Sequence, residues 1–246
     1  MATSACRGHS SYQAIPISGP LFGNVNLDFS SLNERIGEME GTVYCYIVRT
    51  VMYRDGRFVQ TGSGPNFQGG LITLCSCKHQ MRTSKDPDAW NGVWIAGIAG
   101  AGTGAYGRDH LFYLMRVGHA FESQRNLWQW LTEHAPEAAQ AKRADRHQLG
   151  DVYRPQPSCK DPYDPDKYVA PCSHHVHLQH DWYRKDIDYV GFRHRRPALL
   201  VGDPDYSFLW SEPRVRVPFR LGIGSKKCSL GHLLQRSHDS AVAATP

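Results

Sequence analysis

Short apolar runs separated by turn residues dominate the pattern of hydrophobic positions between residues 41 and 118. The strongest runs are YCYIVR at 44–49, LITLCSC at 71–77, GVWIAGIAG at 92–100 and HLFYLMRV at 110–117. They are rich in aromatic and branched side chains, which suit a pleated, half-buried surface. Glycine, proline and asparagine lie between them, as is typical of connections between strands. The pattern therefore predicts a small, strongly curved antiparallel sheet.

A helical pattern replaces the strand-like one between residues 121 and 146. Its apolar positions are Phe121, Leu127, Trp128 and Leu131. Their near-helical spacing predicts a helix packed across the sheet, and Pro136 should divide the stretch into two helices or begin the second. Near the N-terminus, SSLNERIGEMEG at 30–41 combines a serine cap with acidic residues, and predicts a short helix that ends at Gly41.

These elements predict an α+β fold built on a compact, partly closed antiparallel β-barrel with helices packed outside. By analogy of strand pattern, the most similar barrel type is the one associated with pseudouridine synthases. We expect an N-terminal extension with a short helix over 1–40, a main domain over 41–220 and a C-terminal tail over 221–246. The tail is polar and weakly patterned, so it is expected to be mobile or to dock loosely.

The composition of the 246 residues permits nucleic-acid binding without requiring it. A hydrophobic content of 41% is enough for a sizeable core, and the formal net charge is +5. Seven cysteines without a CxxC pair, and no signal-peptide pattern, favour reduced thiols in a cytoplasmic protein. No apolar run approaches the roughly 18 residues that span a bilayer, so no membrane partner is expected.

Two glycine-rich stretches invite comparison with phosphate-binding loops. Residues 62–70 (GSGPNFQGG) lack the P-loop pattern and predict a hairpin turn, which could still offer backbone amides or the Asn66 side chain to a base or phosphate. Gly102, Gly104 and Gly107 match GxGxxG, but the pattern after them is that of a strand rather than a helix. The second stretch is therefore interpreted as a flexible hairpin or a lid.

Basic residues cluster in two places. In LCSCKHQMR at 74–82, Lys78 and Arg82 are expected to meet phosphate or solvent. Cys75 and Cys77 would share one face of a strand there, which favours small buried thiols; a Cys77 thiolate activated by Lys78 is the alternative. The block RHRR at 193–196 suits the rim of a nucleic-acid groove.

The densest group of titratable side chains is CSHHVHLQHDW at 172–182. Its imidazoles could bind zinc, with Asp181 or Cys172 completing the shell, but neither HEXXH nor paired CxxC spacing is present. A single histidine, His175, acting as a general acid or base is the more economical interpretation, and solvated or packed histidines are the structural alternative. We expect no stoichiometric metal, and no cofactor is identified.

The segment ALLVGDPDYSFLW at 198–210 predicts a buried strand, a turn set by Asp203 and Pro204, and a second, aromatic strand. Asp203 and Tyr206 are acid/base candidates, as are Asp205 and Glu212.

An ordered series of motifs resembles a known family. It comprises YCYIVR, a Pro-Asn-Phe turn, LCSCKHQMR, VWIAGI and LFYLMRV, followed by LGDVYRP and ALLVGDPDYSFLW, over about residues 41 to 212. The series resembles the nucleotide-modification-associated domain of the second type, which is found beside base-modification systems in bacteria and phages. The resemblance implies a nucleic-acid or nucleotide context and supplies no reaction.

The expected function is recognition of a nucleotide or modified base in a base-modification system, and the alternative is an enzyme, a transferase or hydrolase, acting on a nucleobase or its glycosidic bond. The candidate catalytic residues are His175, Asp203 and Tyr206. The candidate nucleotide-binding residues are Arg49, Asn66, Lys78, Arg82, Arg193, Arg195 and Arg196. At the mouth of the sheet Tyr206 and Asn66 would hold a base, and His175 would exchange a proton with it. The expected partners are nucleic acid or nucleotide and other base-modification enzymes.

Overall fold

The computed structural model describes residues 13–14, 23–60, 64–143, 151–170, 182–217 and 224–240. The described strands are β1 (Gln13–Ala14), β2 (Thr42–Val48), β3 (Val51–Arg54), β4 (Arg57–Gln60), β5 (Thr73–Leu74), β6 (Trp94–Ala99), β7 (Leu111–Phe121), β8 (Leu199–Leu209), β9 (Val215–Arg216), β10 (Ser225–Ser229) and β11 (His238–Asp239). The described helices are α1 (Phe29–Ile36), α2 (His79–Arg82), α3 (Gly104–Gly107), α4 (Gln124–His134), α5 (Pro136–Arg143), α6 (Trp182–Asp188) and α7 (Leu230–Arg236).

The largest sheet of the described residues has six strands in the order β10-β2-β6-β7-β8-β5. Two smaller sheets have the orders β1-β4-β3 and β11-β9. Sheets and helices together confirm the mixed α+β class. Strands β10 and β5 are the edges of the large sheet, so no closed barrel is found in the described part of the chain. The likeness to pseudouridine-synthase barrels stays a prediction.

One strand pair contradicts the expected antiparallel arrangement. Strands β2 and β6 are parallel, with Val43 opposite Trp94 and Val48 opposite Ala99. Parallel neighbours need a long connection rather than a hairpin. Here β3, β4 and β5 all lie between them in the chain, so the antiparallel prediction was wrong for this pair. It is confirmed for the next two apolar runs, because β6 and β7 pair antiparallel, with Trp94 opposite Arg116.

The chain divides into two compact units, each assembled from separate segments. The described residues of the first unit come from Gly62–Asn91 and Gly118–Gly202. Those of the second unit come from Gln13–Thr61, Gly92–Val117 and Asp203–Pro246.

The second unit has its own apolar core, formed by one side of the sheet with α1 and α7. Its fully buried members include Leu32, Trp94, Trp210 and Leu230. Helix α1 confirms the predicted N-terminal helix, but its cap is Asp28, whose carboxylate accepts from the amide of Ser31 at 2.7 Å. The helix ends at Gly37, where φ is 58°, and not at Gly41.

The predicted loosely docked tail is wrong over residues 224–240. Strand β10 pairs antiparallel with β2 along its whole length, from Ser225 opposite Tyr46 to Ser229 opposite Thr42. Helix α7 follows at once and buries Leu230 and Leu233. The segment looked unpatterned because β10 is an edge strand whose side chains are mostly exposed, so its sequence carries no apolar alternation.

The first unit has a separate core, in which α4 and α5 pack with strand residues. Leu127 and Leu131 of α4 are fully buried, and Pro136 begins α5, which confirms both helical predictions for this stretch. The glycine-rich turn packs on α5. At Gly69, where φ is 72°, a Cβ atom would lie 2.4 Å from the Cα of Ala138, so only glycine fits.

Two segments that were predicted to form strands differ from the prediction, and hydrogen bonds made by aspartate side chains are found in both. In LITLCSC only Thr73–Leu74 is a strand, because the amides of Cys75 and Ser76 donate to the carboxylate of Asp151. The segment predicted as two strands around Asp203 and Pro204 is one strand, β8, so their separation into two strands was wrong. Within it the chain turns locally at Asp203: the amide of Asp205 donates to the Asp203 carboxylate at 3.1 Å, and the Ser207 hydroxyl donates to the Asp203 carbonyl at 2.7 Å. Residues four apart in a regular strand would be separated by roughly 13 Å.

In the described part of the chain, no helix has the length and apolar character needed to cross a membrane.

Candidate functional site

The predicted site residues are divided between the two units. The first unit contains Asn66, Lys78, Arg82, Arg193, Arg195 and Arg196. The second unit contains Arg49, Asp203 and Tyr206. His175 belongs to residues 171–181, so it lies outside the described residues together with the rest of the histidine cluster from Cys172 to Asp181.

Asp151 is the centre of a buried hydrogen-bond network in the first unit. Its side chain is fully buried and accepts from the hydroxyl of Thr73 at 2.5 Å and the amide of Cys75 at 2.7 Å. The amide and hydroxyl of Ser76 donate to the same carboxylate at 3.1 and 3.3 Å. Burial raises the pKa of Asp151, and the hydrogen bond from Thr73 opposes that effect.

Lys142 is the buried cation of this network. Its ammonium donates to the carbonyl of Leu71 at 2.7 Å and to the side-chain and backbone oxygens of Asn66 at 2.9 and 3.2 Å. Burial lowers the pKa of Lys142 to about 7, while the charge of Asp151 acts in the opposite direction. Asn66, the predicted base-binding residue, is therefore already engaged, because its side-chain oxygen also accepts from the amide of Gln68.

Arg82 is fully buried, where a surface phosphate ligand was expected. Its Nε donates to the carbonyl of Cys77 at 2.7 Å and its Nη1 to the carbonyl of Ala198 at 2.6 Å. Burial lowers the pKa of Arg82, and the carboxylates of Asp151 and Asp186 raise it. In this position the guanidinium compensates buried negative charge, and its contact with phosphate stays a prediction.

A histidine lies against a buried carboxylate in the first unit. The Nε2 atom of His79 lies 2.9 Å from Oδ1 of Asp186, although the two atoms do not meet in hydrogen-bond geometry. The carboxylate of Asp186 is completely buried and accepts from the hydroxyl of Tyr153 at 2.8 Å. His79 is 18% exposed, so solvent reaches one side of the ring. An imidazole that lies beside a buried carboxylate and is partly open to solvent is a candidate for proton transfer.

The Tyr153 hydroxyl keeps its proton in this cluster. Burial raises the pKa of Tyr153 well above its usual value, and the charge of Asp186 adds to the effect. Burial likewise raises the pKa of the Cys77 thiol to about 11, so the alternative of a Cys77 thiolate at neutral pH is not supported.

A loop at residues 189–196 packs against the helix that carries His79. The ring of Tyr189 stacks on the imidazole of His79, with centroids 4.5 Å apart. A Cβ atom at Gly191 would lie 2.7 Å from a methyl carbon of Thr83, which follows α2 directly. The backbone of Gly191 donates to the carbonyl of Arg195 at 2.8 Å and closes the loop.

The tip of this loop presents an aromatic ring and a cation to solvent. Phe192 is 83% exposed, and the guanidinium carbon of Arg193 lies 5.6 Å from the centre of its ring. Both Arg193 and His194 have left-handed backbone, with φ of 61° and 56°. Non-glycine residues rarely adopt this conformation, and such residues concentrate at ligand-binding loops.

The two arginines that follow the tip of the loop contact neighbouring side chains. Arg195 Nη2 lies 3.2 Å from a carboxylate oxygen of Asp86, and the guanidinium carbon of Arg196 lies 3.6 Å from the ring centre of Tyr163. Lys78, half-buried, also has left-handed backbone, with φ of 58°, at the start of α2. Arg193 is therefore the most exposed candidate cation of this surface, and the phosphate contacts of the others stay predictions.

In the second unit, the predicted residues make local contacts. Arg49 is exposed directly after β2. A guanidinium nitrogen of Arg116 lies 3.4 Å from the carboxylate of Asp203, and its carbon lies 5.8 Å from the ring centre of Tyr206. Tyr206 also packs edge-on against Trp94. Asp203 and Tyr206 are thus placed near one cation, and their catalytic role stays a prediction.

Sequence reasoning did not single out His79, Asp186, Asp151 or Phe192. His79 lies inside LCSCKHQMR and Asp151 inside LGDVYRP, motifs that drew attention for other residues, and Phe192 directly precedes RHRR. The signal available was a polar residue within an otherwise apolar segment, as at Asp151. Its partners are 75 to 78 residues away in the chain, so no spacing rule could identify them.

Within the ranges that the structure describes, no group of three or more histidine, cysteine or acidic side chains could hold a metal ion. Comparisons with protein-family models, curated proteins and solved structures found no match to this chain.

Proposed function

We propose that the protein recognises a nucleotide or modified base in nucleic acid, through the surface of the first unit formed by Phe192, Arg193 and His79. The observation that carries this proposal is the exposed ring of Phe192 beside the guanidinium of Arg193. Unpaired bases bind to proteins chiefly by stacking on aromatic rings, while arginine supplies charge to the adjacent phosphate.

The contacts around Phe192 indicate that the loop conformation is preformed before a ligand binds. The loop is fastened to α2 by the stacking of Tyr189 on His79 and by the close approach of Gly191 to Thr83. A loop whose backbone is already fixed loses little conformational entropy when a base stacks on the ring at its tip. The net charge of +5 and the resemblance to a nucleotide-modification-associated domain favour the same partner class.

Phe192→Ala is expected to weaken binding of single-stranded oligonucleotides by about fivefold or more, because a stacked base contributes roughly 1–3 kcal/mol. Arg193→Ala should in addition flatten the log–log salt dependence of affinity by about one unit. Fluorescence anisotropy with modified and unmodified oligonucleotides measures both quantities. Tyr106→Ala is the matched control, since Tyr106 is 70% exposed but belongs to the second unit. Wild-type affinity and salt slope in both first-unit variants would contradict the proposal.

A second candidate function is supported by the contact between His79 and Asp186. An imidazole positioned by a buried carboxylate could accept a proton from, or donate one to, a base stacked on Phe192. The protein would then be an enzyme acting on a nucleobase or its glycosidic bond.

His79→Gln separates the two functions. If the protein is an enzyme, this variant should retain oligonucleotide binding but no longer change the mass of the bound oligonucleotide, because glutamine cannot exchange the proton. Mass spectrometry of the recovered oligonucleotides detects the product, and His238→Gln, an exposed position in the second unit, is the control. If wild-type protein changes the mass of no oligonucleotide it binds, the enzyme is rejected and recognition remains.

A further inference from the structure

The second unit contains a cavity of about 720 Å³ lined by α1, the residues before it and strand β8. The side chains that define its chemistry are those of Ser31, Glu34, Arg35, Asp205 and Tyr206. We infer that this cavity binds a nucleoside or free nucleobase, and that it discriminates against phosphorylated nucleotides. Its volume lies in the range of roughly 300–1,000 Å³ that is typical of small-molecule sites. The site is separate from the Phe192 surface and does not depend on it.

A buried asparagine joins the two walls of the cavity. Asn24 is 2% exposed, and its side-chain nitrogen donates to the carbonyls of Asp205 and Ser207 at 3.0 and 3.3 Å. Its side-chain oxygen accepts from Nε of Arg35 at 3.1 Å. Both hydrogen-bonding groups of the amide are therefore used to fix β8 relative to α1, so the cavity is formed before any ligand arrives.

Tyr206 gives the cavity a fixed aromatic wall. Its ring packs edge-on against Trp94, with centroids 6.2 Å apart and an interplanar angle of 77°. The guanidinium of Arg116 lies 5.8 Å from the same ring centre. Any of the nucleobases can stack on an aromatic side chain of this kind, since every nucleobase has a π-face.

Helix α1 supplies the polar wall from one face. Ser31, Glu34 and Arg35 are three and four residues apart, so their side chains lie together on the helix surface. The helix is fixed at its start, where the Asp28 carboxylate accepts from the amide of Ser31 and the Asp239 carboxylate accepts from the amide of Phe29. Hydroxyl, carboxylate and guanidinium groups together can satisfy amino groups, ring nitrogens and sugar hydroxyls.

The charge of the lining decides which form of the ligand fits. Glu34 and Asp205 are negative and Arg35 is positive, so the lining side chains carry a net negative charge; the Nε of Arg35 donates to Asn24. A phosphate would bring a further negative charge close to two carboxylates, whereas the amino and hydroxyl groups of a nucleoside donate to them. The lining therefore favours a ligand with hydrogen-bond donors and no phosphate.

Titration calorimetry with adenosine, cytidine and their 5′-monophosphates tests the inference on the full chain. Both nucleosides should show saturable binding, each at least about tenfold tighter than its monophosphate. Tyr206→Leu should weaken nucleoside binding by about tenfold, because the stacking surface is lost. The double variant Glu34→Gln with Asp205→Asn should narrow the preference for nucleoside over monophosphate.

Matched controls lie in the same unit. Tyr106→Leu removes an exposed tyrosine, and Glu40→Gln removes an exposed carboxylate; neither residue lines the cavity, and neither change should alter nucleoside affinity. The inference is overturned if neither nucleoside binds saturably, or if the monophosphates bind as tightly or more tightly. It is also overturned if Tyr206→Leu binds nucleosides like wild type while the double variant keeps the wild-type preference for nucleoside over monophosphate. Because Phe192→Ala should leave nucleoside binding unchanged, failure here and failure of the proposed oligonucleotide surface are distinguishable. If Tyr206→Leu does not fold, the double variant alone decides.

Discussion

Replacing Asp151 by alanine is expected to lower the free energy of unfolding of the first unit by about 3–5 kcal/mol, the range seen when one partner is removed from a buried charged network. The carboxylate accepts four hydrogen bonds, two from backbone amides and two from hydroxyls. Alanine would leave the amides of Cys75 and Ser76 buried without an acceptor, and each such group costs roughly 1–3 kcal/mol. Denaturant unfolding gives the total loss, and hydrogen exchange at these two amides gives the local one.

Two further variants separate the causes of this loss. Asp151 has left-handed backbone, with φ of 80°, which itself disfavours alanine. Asp151→Gly removes the carboxylate without that strain, whereas Asp151→Asn can still accept from both amides through its remaining oxygen. Asp55→Ala measures the strain alone, because Asp55 also has positive φ, at 49°, but is exposed. An unfolding midpoint in Asp151→Ala equal to that of Asp55→Ala would show that the network contributes nothing.

The sequence predicted the elements of this fold better than it predicted their pairing. Composition and periodicity located β2, β6 and β7, and Pro136 marked the start of α5, because these signals depend on residues close in the chain. The parallel pairing of β2 with β6 depends on where the intervening segments go, which local pattern does not record. Strand β10 was missed for a related reason, since an edge strand with exposed side chains has no apolar alternation to detect.

Contacts between residues distant in the chain were also the part of the candidate site that the sequence did not predict. A guanidinium is almost always assigned to the surface from sequence, yet Arg82 is buried because the carboxylates of Asp151 and Asp186 compensate its charge. Asn66 was correctly noticed as a polar residue in a glycine-rich turn. Its side-chain oxygen is nevertheless engaged by Lys142, from a helix 76 residues away. The sequence shows which polar residues are present, but it does not show which distant residues they contact.

The pH dependence of stability is expected to change when Lys142 is replaced by methionine. Burial lowers the pKa of Lys142 to about 7, whereas an unfolded lysine titrates near about 10.4. Between these values the unfolded chain binds more protons than the folded one, so the free energy of unfolding rises with pH by up to about 1.4 kcal/mol per unit. The stability of wild type relative to Lys142→Met should therefore increase from about pH 7 to about pH 10 and be constant below that window.

Taking the difference between the two proteins removes the contribution of other groups. Burial also raises the pKa of Cys75 and Cys77, which lowers stability at alkaline pH, but both proteins contain these thiols. Lys160→Met controls for the loss of a lysine at an exposed position of the same unit. Three oxygen atoms accept hydrogen bonds from the Lys142 ammonium. These hydrogen bonds stabilise its charged form and so oppose the lowering of its pKa by burial. A difference that stays flat from pH 7 to pH 10 would mean that these hydrogen bonds outweigh the cost of burial, and that Lys142 is a permanent cation of the network.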